Sequence, residues 1–149
     1  MLSDDELAFL QSRRVAHLAT ADADAAPHVV PVCFVATRAA IYIGIDEKPK
    51  RRPASRLKRL ANIAQNASTA FVADRYDDRD WSRLGWVMVR GEAEIIQAGA
   101  EHAAAQARLR ARYPQLAAMR LEGLPVIAIR IRKATHWGDI SVGGAADAG

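Results

Sequence analysis

HVVPVCFVAT, residues 28–37, is largely apolar in both of its alternating registers. His28, Val30, Val32 and Phe34 fall on one side of an extended chain, and Val29, Pro31, Cys33 and Val35 on the other. A strand covered on both faces is either central in a sheet or lies at a subunit or ligand contact. Pro31 has no N–H for a ladder, so one edge there is free, bulged or facing something other than a neighbouring strand. The turn Thr37-Arg38-Ala39 then leads into IYIGID (41–46), with Ile41, Ile43 and Ile45 on one face. That turn is short enough for a hairpin.

Working outward, VAHLAT (15–20) reads as a strand closed by the polar ADADAAP turn. STAFVAD (68–74) is another, and WVMVRGEAEII (86–96) alternates with Val87, Val89, Ala93 and Ile95 inward. PVIAIRIRKATHW (125–137) aligns Ile127, Ile129 and Ile131 as a last strand. Helices fill the gaps. Ser3 followed by Glu6 is a capping box for a helix over about 4–13. Pro53 suits a first helical turn, and Leu57, Leu60, Ala61 and Ala64 keep helical spacing to about Asn66. Residues 100–113 are helical and stop at Pro114, with a shorter helical piece over 115–121. Six strands joined mostly by short turns predict antiparallel pairing and a small barrel, mainly β with helices (α+β). One domain over residues 1–138 is expected, with 139–149 a loose tail.

The 149 residues carry a net charge of +4, and half of them are hydrophobic. A single cysteine, Cys33, allows no internal disulfide and suits a reducing compartment. The acidic start, MLSDDELAFLQ, is not a signal peptide, and no apolar run approaches the ~20 residues of a membrane span. A soluble cytoplasmic protein with no membrane partner is expected. Rossmann and Walker glycine patterns are absent, and His17, His28, His102 and His136 have no zinc-site spacing. Cys33 and His28 lie five apart on one strand and so point to opposite faces, which denies a thiol its base. No catalytic residue is assigned. Cys33 is expected to be a small buried apolar residue, with a place in a pocket wall as the second reading.

The charge is concentrated. KPKRRPASRLKR (48–59) packs seven positive side chains into twelve positions without an acid. A solvated loop is one reading and a nucleic-acid patch another, although the run has neither interleaved aromatics nor a long basic helix. A phosphate site on a small ligand stands ahead of both. The run joins a strand end to a helix N-terminus, where free N–H groups and the helix dipole favour an anion. Lys48 and Lys50 come from the loop, and Arg56 and Arg59 share a helix face at i, i+3 spacing. A second unusual stretch, DRYDDRDWSRLGW (74–86), offers Trp81 and Trp86 either as loop anchors or as a flat rim over a planar ring.

In that order, HLATAD (17–22), PHVVPVCF (27–34), IYIGIDEKPK (41–50), LKRLANIAQN (57–66), AFVADRYDD (70–78) and DWSRLGWVMVRGEAE (80–94) resemble the flavin-binding split-barrel proteins related to pyridoxamine 5′-phosphate oxidase. KPK, LKRLANI and YDD…DW…L.WV resemble the subgroup classed as deazaflavin (coenzyme F420)-dependent oxidoreductases. The chain departs from that subgroup at Ala67, Gly85 and Met88, where a proline, a bulky aromatic and a basic residue are expected. The resemblance implies a six-stranded antiparallel split β-barrel, paired into a homodimer with cofactor at the subunit interface. It implies that Lys48, Lys50, Arg56, Lys58 and Arg59 hold the phosphate. Val30, Pro31, Val32 and Cys33 would lie beside the ring system, with Trp81 and Trp86 at the rim. The implied activity is hydride transfer between bound F420 or FMN and a small organic substrate, without nucleic acid. The cation surplus leans toward the longer, more anionic tail of F420. A non-catalytic flavin or haem storage protein on the same fold is the alternative.

Overall fold

Ser3 Oγ accepts the Glu6 N–H at 3.2 Å and Glu6 Oε2 accepts the Ser3 N–H at 2.9 Å, so the capping box starts α1 (Asp4–Ser12) as its spacing requires. The computed structural model describes residues 1–46 and 57–143. After α1 come β1 (Ala16–Ala21), β2 (Pro27–Val32), β3 (Phe34–Ala36), β4 (Ala40–Gly44) and α2 (Lys58–Gln65). Then follow β5 (Ser68–Arg75), a 3₁₀ turn (Trp81–Arg83), β6 (Gly85–Ile96), α3 (Ala100–Arg112), α4 (Pro114–Ala117) and β7 (Val126–Gly138). Among the described residues no helix is long and apolar enough to cross a membrane.

The strands form one antiparallel sheet in the order β2-β1-β5-β6-β7-β4-β3. β2 and β3 are separated only by Cys33, yet they stand at opposite ends of that order. Two ends joined by one residue cannot lie far apart, so the sheet must curl until they meet. The result is a split barrel with its seam at Cys33. The count is seven strands against the six expected, because residues 28–37 are two strands and not one. Pro31 sits on an edge strand, where its missing N–H costs no ladder bond.

Inside the curl, Leu18, Phe34, Ile41, Ile43, Phe71, Val87, Val89 and Ile129 are almost wholly buried. Phe34 and Phe71 meet edge to face, with ring centroids 4.9 Å apart. Each large side chain in such a core contributes about 1.5–3 kcal/mol by leaving water. Gly91 lies at the β6–β7 bulge, where a Cβ would stand 2.1 Å from the Arg130 carbonyl oxygen. Only glycine allows that approach. On the outside of β3 and β4 a second cluster joins Val35 to Leu109, Tyr113, Leu116 and Leu121, which docks α3 and α4 beside the seam.

Of the expected tail, residues 139–141 are held. Ile140 is buried, and the Arg75 guanidinium donates to the carbonyls of Asp139 (2.6 Å) and Ser141 (3.0 Å). Helix α2 begins at Lys58 after its extended N-cap Leu57 (φ −63°, ψ 135°), and Pro53 lies outside the described residues.

Candidate functional site

Where β2 runs into the seam, four consecutive residues, Val30, Pro31, Val32 and Cys33, form one wall of a cavity of about 380 Å³. Gly44 and Asp46 at the end of β4 face them, Arg59 of α2 closes one side, and Val15 and Leu116 complete the lining. The local reasons are legible. β2 ends at Val32, and Cys33, in the break before β3, is left exposed at the cavity. Gly44 has no side chain, and a Cβ there would meet Leu109 Cδ1 at 3.0 Å.

The start of α2 supplies the charge. Leu57 gives no side-chain cap, and the first turn holds Lys58 and Arg59 with no acid. Cations at the positive end of a helix dipole are unfavourable until an anion arrives. Arg59 is half-buried, and its Nε has no hydrogen-bond partner among the described residues. Burial lowers the Arg59 pKa from its ordinary value, and the nearby Asp46 carboxylate partly offsets that. The guanidinium remains a cation and lines the pocket together with Asp46.

The residues expected at this site divide into three groups. Val30, Pro31, Val32, Cys33 and Arg59 come together around the one cavity. Lys58 leans away, with Nζ 3.7 Å from Asp22 Oδ2 in the β1–β2 loop. That loop is itself built on Asp22, whose Oδ1 accepts the N–H groups of Asp24 (2.9 Å) and Ala26 (3.0 Å). Trp81 is exposed on its 3₁₀ turn, and Trp86 is half-buried opposite Trp137 of β7; neither lines the cavity. Lys48, Lys50 and Arg56 lie outside the described residues.

Cys33 is not the buried apolar residue of the first expectation. It is exposed and faces the cavity, because it occupies the break between β2 and β3. Sequence reasoning missed Val15, Gly44, Asp46 and Leu116. Asp46 could have been noticed as the first of the two acids, Asp46 and Glu47, that stand before the basic run, whereas Val15 and Leu116 arrive only through the tertiary fold. Among the described residues no cluster of histidine, cysteine or carboxylate could hold a metal ion.

The outer face of the sheet continues from the same wall. The register aligns Pro31, His17, Val72, Met88 and Thr135 across five strands, β2-β1-β5-β6-β7. The next row holds Val29, Ala19, Ala70, Arg90 and Lys133. This is a mostly apolar surface with Val29 and Trp137 well exposed.

A family model described as pyridoxamine 5′-phosphate oxidase matches residues 3–136. A 5a,11a-dehydrotetracycline/5a,11a-dehydrooxytetracycline reductase of Streptomyces rimosus is 31% identical over 94 residues, 63% of each chain. The match therefore spans less than two thirds of that relative. Among solved structures, a conserved hypothetical protein of Mycobacterium tuberculosis superposes with a TM-score of 0.73 at 20% identity, covering 98% of this chain and 95% of that one. A FAD-binding protein of Mycobacterium smegmatis gives 0.64 at 20% identity (92% and 94% covered). The heme storage protein of Vibrio cholerae gives 0.65 at 14% identity (88% and 89% covered). These three share the fold.

Proposed function

Because the chain belongs to the pyridoxamine 5′-phosphate oxidase family, we propose that it is an oxidoreductase moving a hydride between bound F420 or FMN and a small organic substrate. The observation that carries this reading is Arg59: a half-buried guanidinium whose Nε has no hydrogen-bond partner among the described residues, at a helix start without a side-chain cap, facing an apolar strand wall. That donor set suits an anion attached to an apolar, planar body. The 31% identity to a reductase supports reductive chemistry as the direction to test first.

The residues fit the group as follows. Arg59 and the N–H groups of the first α2 turn would hold the anionic end, and Lys48, Lys50 and Arg56 would add positive charge around it. Val30, Pro31 and Val32 cover one face of the ring and exclude water. The cofactor supplies the atom that carries the hydride; the protein binds and orients it. Trp81 and Trp86 do not line the cavity of one chain, so a rim role for them requires a second copy. The apolar rows on the outer sheet face are suited to receive that copy, and a homodimer is part of the proposal.

The test is an absorption and fluorescence titration of the purified protein with F420 and with FMN, followed by turnover assays of the reduced complex with a panel of enones and quinones. Saturable binding of one of them with turnover is the expected result. Binding without turnover would leave a storage protein, and absence of binding to both would end the proposal.

A further inference from the structure

The seam of the barrel has a specific cause. β1 and β2 pair in a register that sets Ala16 opposite Val32. Continued by two residues, that register would set Arg14 opposite Phe34 and zip the ladder shut. It does not continue. The Tyr113 phenol stands between them, accepting the Phe34 N–H at 3.1 Å and lying 3.0 Å from both the Arg14 and the Phe34 carbonyl oxygens. Its single proton serves one of those two carbonyls. Arg112 reinforces the wedge. Its guanidinium donates to Phe34 O (3.1 Å), Gln11 O (3.1 Å) and Arg13 O, and lies 4.6 Å over the Phe34 ring.

Each strand end parted by this wedge leads directly into the cavity. Val15 follows Arg14, Cys33 precedes Phe34, and Leu116 donates its N–H to Tyr113 O at 3.0 Å. We infer that Tyr113 is a positioning residue: its hydroxyl, bridging Phe34 and Arg14, holds the seam open between the start of β3 and the residues leading into β1, and sets the cavity wall at Cys33 against which the cofactor binds. The inference rests on the proposed cofactor site for its consequence, but not for its geometry.

Tyr113→Phe keeps the ring and removes the bridge, leaving the Phe34 N–H without its acceptor. Leu121→Ala is the control, because Leu121 is buried in the same cluster but is neither a lining residue of the cavity nor a hydrogen-bond partner of Phe34 or Arg14. Two readouts are taken. One is the N-ethylmaleimide alkylation rate of Cys33, the sole cysteine. The other is the dissociation constant for F420 and FMN by fluorescence.

Tyr113→Phe is expected to lower the alkylation rate about fivefold or more, as the seam closes over the exposed Cys33, and to weaken cofactor binding about tenfold, with Leu121→Ala moving neither. Equal effects of the two variants, or an unchanged alkylation rate in Tyr113→Phe, would overturn the assignment. If wild type binds neither cofactor while the alkylation difference persists, the functional proposal fails and the positioning role stands. Should Tyr113→Phe not fold, hydrogen exchange on wild type decides. The Phe34 amide should exchange more slowly once cofactor is added, and unchanged protection would refute the link.

Discussion

Glu6 Oε1 lies 2.8 Å from His136 Nδ1, joining the first helix to the last strand across 130 residues of sequence. The carboxylate is nearly buried, which alone would raise its pKa. The His136 hydrogen bond and the Ser3 backbone N–H more than reverse that, so Glu6 titrates below its ordinary 4.5. A depressed carboxyl pKa stabilises the fold above the unfolded value and is lost as the pH falls through the folded one. Glu6→Gln, which can still cap α1, should lower stability near pH 7 by about 1–2 kcal/mol. For a chain of this length that is about 3–6 °C in Tm. The gap between variant and wild type should close as the pH drops below 4.5; thermal melts across that range would show a constant gap if the pair were irrelevant.

Glu101 on α3 gives a second acid-side signature. It accepts from Arg130 Nη2 at 3.0 Å and from the Tyr42 hydroxyl at 2.6 Å, and these bonds, Arg130 first, bring its pKa down to about 2. The tie between α3 and the sheet therefore survives acidification well below the usual carboxylate range and is released only as the pH falls through about 2. Carboxyl chemical shifts followed by NMR should place the midpoint there. Arg130→Ala should return it toward 4.5, and further than Tyr42→Phe does.

Arg75 is a buried clasp. Besides the two carbonyls beyond β7, it donates to Arg83 O at 2.8 Å and lies 5.6 Å from the Phe9 ring centroid. Lysine has neither the planar fork nor the reach to serve three carbonyls at once. Arg75→Lys should cost about 2–3 kcal/mol and should speed amide exchange at residues 139–141 more than elsewhere. Uniform exchange across the chain would count against the clasp.

Arg59→Ala should weaken F420 or FMN binding at least about tenfold, equivalent to about 1.4 kcal/mol. Lys50→Ala, in the basic run, should act in the same direction. Lys58→Ala should do less, since Lys58 is drawn to Asp22. Affinities that rank Lys58 above Arg59 in a fluorescence titration would require the anion to sit outside the cavity.

Much of this was legible in the residues. Ser3 and Glu6 announced α1, the isoleucines at 41, 43 and 45 announced β4, and the alternation of Val87 and Val89 announced β6, because each signal is contained within one turn or one strand. Arg59 stood out for the same reason, as charge beside a helix start. Cys33 was misread because alternation within 28–37 describes a continuous strand, and nothing in that stretch reports the wedge that interrupts it. Trp81 and Trp86 were rim candidates through their flat rings and the family resemblance, yet neither lines the cavity of one chain, because β6 is the central strand of the sheet order, three places from both β2 and β3.

By itself the sequence determined most of the elements, their order and the antiparallel pairing, but not the division of residues 28–37 into two strands, since helix caps, apolar periods and short turns act over a few residues. Where the barrel opens was settled only in three dimensions. Phe34 needs a partner for its N–H; the Tyr113 hydroxyl, 79 residues away, provides it where Arg14 would otherwise have paired. Backbone hydrogen bonds must be satisfied, but which group satisfies them at a strand end depends on what packing brings there.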